Sequence, residues 1–234
     1  MKETIIRNSN EKAAGGNGIT ELVFILDRSG SMQGLESDSA GGFNSVINEQ
    51  KKKDGRVWVS TVLFNDHSKV LHDRVDINGI EPMKTEDYIV GGCTALLDAL
   101  GDAIHHIGNV HKYARKEDVP ENTIFVIMTD GIENASRRYS ARDIKEKISR
   151  QTEKYGWEFL FLGANIDAVG TAASYGIDAY HSVTFECDRE GIARNYAGLN
   201  EAVGSIRAEK CLSPTWADGI REHRERKSKI RKNK

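Results

Sequence analysis

The feature that most constrains the fold is a short apolar run without polar interruption, Leu22-Val23-Phe24-Ile25-Leu26, closed abruptly by Asp27. A strand with one wet face alternates apolar and polar residues. An unbroken run of this length instead suits a strand buried on both faces, as in a parallel sheet covered by helices. Similar runs recur at Val57–Phe64, Thr123–Met128 and Trp157–Leu162, with a weaker one at Ala179–Phe185. Val70–Ile77 alternates more and follows Val57–Phe64 across Asn65-Asp66-His67-Ser68, so it reads as the second arm of a hairpin. Helical patterns fill the intervals at 35–53, 95–114, 140–155, 166–175 and 189–208. The clearest places Leu96, Leu97, Leu100, Ala103, Ile104 and Ile107 on one stripe. Strands alternating with helices imply right-handed crossovers. The expected fold class is therefore α/β: a doubly wound, mostly parallel sheet of about six strands, with one antiparallel edge strand and helices on both faces.

Composition narrows the class. The chain has 234 residues, 38% hydrophobic and 29% charged, which fits a globular protein with a sizeable core. No apolar run approaches the roughly 18 residues a membrane helix needs. Met1–Gly16 lacks the apolar stretch of a secretory signal. Cys93, Cys187 and Cys211 are odd in number and form no CxxC pair, so neither a disulfide framework nor a zinc site is indicated, and a reduced cytoplasmic setting is expected. The expected organisation is a flexible leader over 1–18, one domain over 19–212 and a basic C-terminal tail over 213–234, whose residues 217–234 read as a solvated helix or disordered segment.

The chemistry concentrates at strand ends. Asp27-Arg28-Ser29-Gly30-Ser31 follows the first buried strand with a carboxylate and two hydroxyls, each two residues apart. Asp130 follows another in Met128-Thr129-Asp130-Gly131. In strand order 3-2-1-4-5-6 the first and fourth strands are neighbours at the topological switch, where ligands bind beyond the carboxyl ends. Asp27 and Asp130 then face one another, and two close carboxylates require a proton or a cation between them. Ser29, Ser31 and Thr94, the last from Gly91-Gly92-Cys93-Thr94, supply neutral oxygens. Hard oxygen donors without His or Cys suit Mg²⁺, with Mn²⁺ or Ca²⁺ as alternatives, rather than zinc. The N-terminus of the helix after Thr94 disfavours a cation through its partial positive charge, which the carboxylates must offset. Glu133 and Asn134 read as a solvated loop, with a supporting role around the metal as the alternative. Cys93 has no base beside it and reads as a packing residue.

Asp27-x-Ser29-x-Ser31, Thr94 in a Gly-Gly-x-Thr loop and Asp130 in Thr-Asp-Gly together resemble the metal-ion-dependent adhesion site (MIDAS) of von Willebrand factor A (vWA) domains. The resemblance spans roughly residues 20–208, and Phe24–Met32 is especially similar to bacterial stand-alone members. It implies that Ser29, Ser31 and Thr94 bind the metal directly or in alternation with water, that Asp27 and Asp130 bind it directly or through water, and that an Asp or Glu of a protein partner completes the octahedron. It also implies an interaction module rather than an enzyme.

Two other functions are alternatives on the same sequence. A metal-dependent phosphohydrolase using Asp27 as nucleophile would resemble haloacid-dehalogenase-type phosphatases, which also put an Asp after a first buried strand but have a second Asp two residues on as general acid, where Ser29 stands. No GxGxxG follows the first strand, and GxxxxGK[ST] is absent. A nucleic-acid-associated role rests on the tail, because the net charge of −2 divides unevenly. Residues 217–234 carry eight basic and three acidic side chains, so the body and leader together are acidic. No aromatic side chain is interleaved after Trp216, and nucleic acid is not favoured.

Overall fold

The computed structural model describes residues 18–164 and 166–232. The leader expected over 1–18 lies outside the described residues, Gly18 excepted. Six strands form one sheet: β1 (Ile19–Asp27), β2 (Arg56–Phe64), β3 (Ser68–Asp76), β4 (Asn122–Thr129), β5 (Glu158–Ala164) and β6 (Ser182–Phe185). Their order is β3-β2-β1-β4-β5-β6. Only β2–β3 is antiparallel. The fold class read from the hydrophobic pattern is therefore the one observed. The weak run at Ala179–Phe185 contributes only four strand residues, after a short 3₁₀ turn at Ala179–His181.

β1 lies at the centre and is buried along its whole length. Its side chains alternate between two cores. Leu22, Phe24 and Leu26 pack with residues of α1 (Glu36–Lys51) and α5 (Arg189–Glu209). Val23 and Ile25 pack with residues of α2 (Leu96–Tyr113) and α3 (Ala141–Tyr155), on the face that α4 (Ala168–Ser174) also covers. This double burial is why the run contains no polar residue until the strand ends. Leu26 pairs with Met128, so the chain leaves β1 and β4 at the same level, placing Asp27 and Asp130 side by side at the carboxyl edge. No helix among the described residues is long and apolar enough to cross a membrane.

The segment 217–234 departs from expectation. Residues 218–232 form a helix, α6 (Asp218–Lys232), that is docked rather than free. Trp216, Ala217 and Ile220 join the core on the α5 side, and His223 is only 2% exposed. The basic residues are partly consumed by this docking: Lys227 pairs with Asp188 at 2.8 Å, Arg226 with Glu190 at 2.6 Å and Arg231 with Glu186 at 2.7 Å. A charge run with few apolar residues reads as solvated. Here three apolar residues, and three alternate acids running from the end of β6 into the first turn of α5, seat it.

The docking has a pH signature. Burial acts to raise the Asp188 carboxyl, but Lys227, the Gly191 amide and His223 outweigh it and hold the group at about 2. A depressed carboxylate contributes stability that is complete above its unfolded value, near 3.9, and is lost as pH falls through its folded value. Hydrogen-exchange protection of residues 218–232 is expected to fall between about pH 4 and about pH 2 relative to that of β1. Equal retention in both segments would show that the Asp188 contacts do not hold the helix.

Candidate metal centre

The two loops leaving β1 and β4 meet the loop before α2. Asp27, 2% exposed, accepts from the Ser29 amide at 2.7 Å through Oδ1 and from Thr129 Oγ1 at 2.6 Å through Oδ2. The Tyr88 hydroxyl donates to its backbone carbonyl. Ser29 Oγ and Ser31 Oγ are hydrogen-bonded at 3.1 Å, and Ser31 Oγ donates to Asp130 Oδ1 at 2.6 Å. Thr94, 3% exposed, closes the group from the third loop. A Cβ added at Gly131 would lie 3.1 Å from Thr94 Oγ1, 3.6 Å from Ser31 Oγ and 4.0 Å from Ser29 Oγ. The three hydroxyls thus converge on space that the glycine leaves open. The structure brings together all five residues selected from the sequence.

The electrostatics of the centre are those of a site short of positive charge. Burial pushes the Asp27 carboxyl above its ordinary value. Burial also raises Asp130, and the neighbouring Asp27 charge adds to the effect. Among the described residues, no three His, Cys, Asp or Glu side chains gather as a metal-binding group. The donor set is two carboxylates and three hydroxyls, a hard, weakly charged set that fits an oxygen-preferring divalent cation. The Cys187 thiol lies 4.0 Å from Asp130 Oδ2.

The supporting residues are mostly ones that motif spacing does not reveal. Asn134 Oδ1 accepts from the Thr94 amide at 3.0 Å, and the Asn134 and Ala135 amides return bonds to the Thr94 carbonyl. Glu133 Oε2 accepts from the Leu97 amide at 3.0 Å and from Ser136 Oγ at 2.9 Å; Oε1 accepts from the amides of Ala135 and Ser136. Asn134, though exposed, therefore braces Thr94, and the half-buried Glu133 ties the same loop to the start of α2, the supporting role that was the alternative reading. The Glu133 carboxylate also sits on the first turn of α2, where it counters the partial positive charge of the helix end. Asn65 completes the frame: its side-chain amide donates to the Gly91 carbonyl at 2.7 Å, and its carbonyl accepts from the Ala95 amide at 2.8 Å. Gly92 has φ +79°, and a side chain there would collide with the Asp66 carboxylate, so the close approach of these loops requires glycine. Thr129 was within reach of the sequence as a hydroxyl beside Asp130. Tyr88 carried no signal, because it arrives from an irregular loop.

No family profile and no curated protein matches the sequence. Solved structures do match in three dimensions. The vWF domain of the type V pili tip protein Mfa5 from Porphyromonas gingivalis superposes with a TM-score of 0.60 at 10% identity, over 83% of this chain and 98% of that one. The chain has the fold of a von Willebrand factor A domain. Manganese-loaded TRAP from Plasmodium vivax matches with a TM-score of 0.54 at 17% identity, over 82% of this chain and 73% of that one. Proximal thread matrix protein 1 from the mussel byssus, in a structure with a zinc-occupied MIDAS motif, gives 0.52 at 15% identity, over 78% of this chain and 45% of that one. The chain thus spans less than half the length of the mussel protein, and also of a von Willebrand factor type A chain from Catenulispora acidiphila.

Proposed function

We propose that this chain is a divalent-metal-dependent protein-interaction module, and not an enzyme. In this reading Asp27, Ser29, Ser31, Thr94 and Asp130 hold Mg²⁺, with Mn²⁺ or Ca²⁺ as alternatives, and a partner's Asp or Glu supplies a further ligand. The observation that carries it is the convergence of three hydroxyls beside Gly131, next to two buried carboxylates whose charged forms burial disfavours. When bound, the cation would neutralise that pair and, because the protein contributes only two charges, remain attractive to an anionic oxygen from outside. Thr129 and the Ser29 amide fix the Asp27 carboxylate, and Ser31 fixes Asp130. Their rigidity keeps the donors in place before a metal arrives.

The manganese in TRAP and the zinc in the mussel protein support divalent-metal binding on this fold. Ser29, at the position where haloacid-dehalogenase-type phosphatases carry their general acid, argues against the enzymatic alternative. The pairing of Arg226, Lys227 and Arg231 with acids of the same chain argues against a free nucleic-acid-binding tail. We propose one interaction domain, the body over 19–212 together with the docked segment that follows, since Trp216, Ala217 and Ile220 share its core. We also propose a cytoplasmic setting, on the odd number of cysteines and their lack of a CxxC pair.

Capture of partner proteins by immobilised wild type, by wild type with chelator and by Asp27→Ala tests the reading. A partner retained by the wild type is expected to be lost in both other arms. Undiminished capture with chelator or by the variant would remove the metal from the interaction.

A further inference from the structure

The loops that carry the metal centre also hold two apolar side chains out to solvent. Ile132, next to Gly131, is 74% exposed, and Ile89, on the loop that leads to Thr94, is 65% exposed. They are the two most exposed large aliphatic side chains among the described residues, and neither joins either core. A single exposed isoleucine is ordinary; two on the rim of one polar site bear on what that site meets.

The main chain around each is fixed by the bonds that build the centre. Tyr88 is buried with its hydroxyl on the Asp27 carbonyl, and Val90 packs against the core on the α5 side. The Ile89 carbonyl between them accepts from Arg28 Nη1 at 3.1 Å. On the other loop Asp130 is buried and bonded to Ser31, and Glu133 is bonded to the first turn of α2. The two isoleucines stand on opposite sides of the centre. The Ile89 segment is tied to Asn65, at the end of β2, through the Gly91 carbonyl, whereas Ile132 follows the end of β4. β1, whose end carries Asp27, lies between β2 and β4 in the sheet.

We propose that the partner of this centre is a protein loop in which an Asp or Glu is flanked on both sides by apolar side chains, which pack on Ile89 and Ile132 while the carboxylate meets the metal. The inference rests on the metal-dependent reading above and names the partner chemistry which that reading leaves open. Apolar area on the rim favours apolar area opposite it, and burying one isoleucine side chain is worth about tenfold or more in affinity. Closing the rim also excludes water from the contact between cation and carboxylate, which strengthens it. A carboxylate with a single apolar tail covers only one of two isoleucines on opposite sides. A peptide chain continues in both directions from its acid and covers both.

The test displays heptapeptides closed by a disulfide, with glutamate fixed at the centre and the flanking positions randomised. They are selected on the full chain in Mg²⁺ and released with chelator. The released peptides are expected to carry Leu, Ile, Val or Phe on both sides of the glutamate. Fluorescence polarisation of one such peptide is expected to show affinity lowered at least about fivefold by Ile89→Ser and by Ile132→Ser. Thermal melts are expected to show the same Mg²⁺ shift in both variants as in the wild type. Polar flanks in the released peptides, unchanged affinity in either variant, or no chelator-released peptide from a chain that Mg²⁺ still stabilises would overturn the proposal and leave the metal reading standing. A wild type whose melting temperature Mg²⁺ does not raise would remove that reading, and this inference with it.

Discussion

Replacing Asp130 by asparagine is expected to raise the melting temperature of the metal-free protein and to abolish stabilisation by Mg²⁺. The two effects have one cause. Asp27 and Asp130 are 2% and 3% exposed, burial raises both carboxyls, and the Asp27 charge raises Asp130 further. A carboxyl raised on folding costs stability wherever it is ionised in the folded state. That cost is complete above the folded value and disappears as pH falls toward the unfolded value near 3.9. At neutral pH without metal, the pair therefore opposes folding. Asparagine keeps the shape and an oxygen able to accept from Ser31, but removes one of the two charges. With metal the sign reverses: a cation bound only to the folded wild type at about 100 times its Kd adds about 2.7 kcal/mol. For a chain of this size that is about 5–10 °C. Thermal melts of wild type and Asp130→Asn, each with and without Mg²⁺, check both signs. If asparagine lowered the metal-free melting temperature while the Mg²⁺ shift persisted, Asp130 would be an ordinary buried hydrogen-bond acceptor.

The same residues show where sequence reading succeeds. The frame was legible because double burial leaves an unmistakable mark: five apolar residues and then Asp27 define a central strand and its carboxyl end. The candidate site was legible because its residues lie at fixed short spacings on strand ends, and strand order alone brings Asp27 beside Asp130. What escaped was whatever depends on approach between loops. Tyr88 reaches the Asp27 carbonyl from 61 residues away, with no periodicity to announce it. Glu133 looked like any acid in a polar loop, although its neighbours Ala135, Ser136 and Leu97 turn their donors toward it. α6 escaped for the opposite reason. Its composition is that of a solvated tail, and its docking relies on Ile220 and His223 and on acids of another segment, whose proximity only the folded chain reveals.

Glu133 therefore carries a prediction that motif logic would not make. Its two oxygens accept four hydrogen bonds, from Leu97, Ala135, Ser136 and the Ser136 hydroxyl, tying the Asp130–Ser136 loop to the start of α2. Thr94 lies between these parts, held by Asn134 on both its amide and its carbonyl. Glu133→Ala leaves the first turn of α2 without its acidic cap and strands several amide donors, at a cost of about 1–3 kcal/mol. Thr94 then loses its fixed position, while Asp27, Ser29 and Ser31 keep theirs, because their bonds run to Thr129, to Asp130 and to one another. Metal affinity is expected to fall about 10- to 100-fold, the range seen when groups that orient metal ligands are removed. Calorimetric titration with Mn²⁺, well below the melting temperature of the variant, separates this from a simple loss of folded protein. Glu133→Gln is expected to fall between the two: one amide oxygen can replace Oε1 toward Ala135 and Ser136, but the NH₂ group cannot accept from Leu97. An affinity within about twofold of wild type for Glu133→Ala would mean that Thr94 is positioned by Asn134 and Asn65 alone.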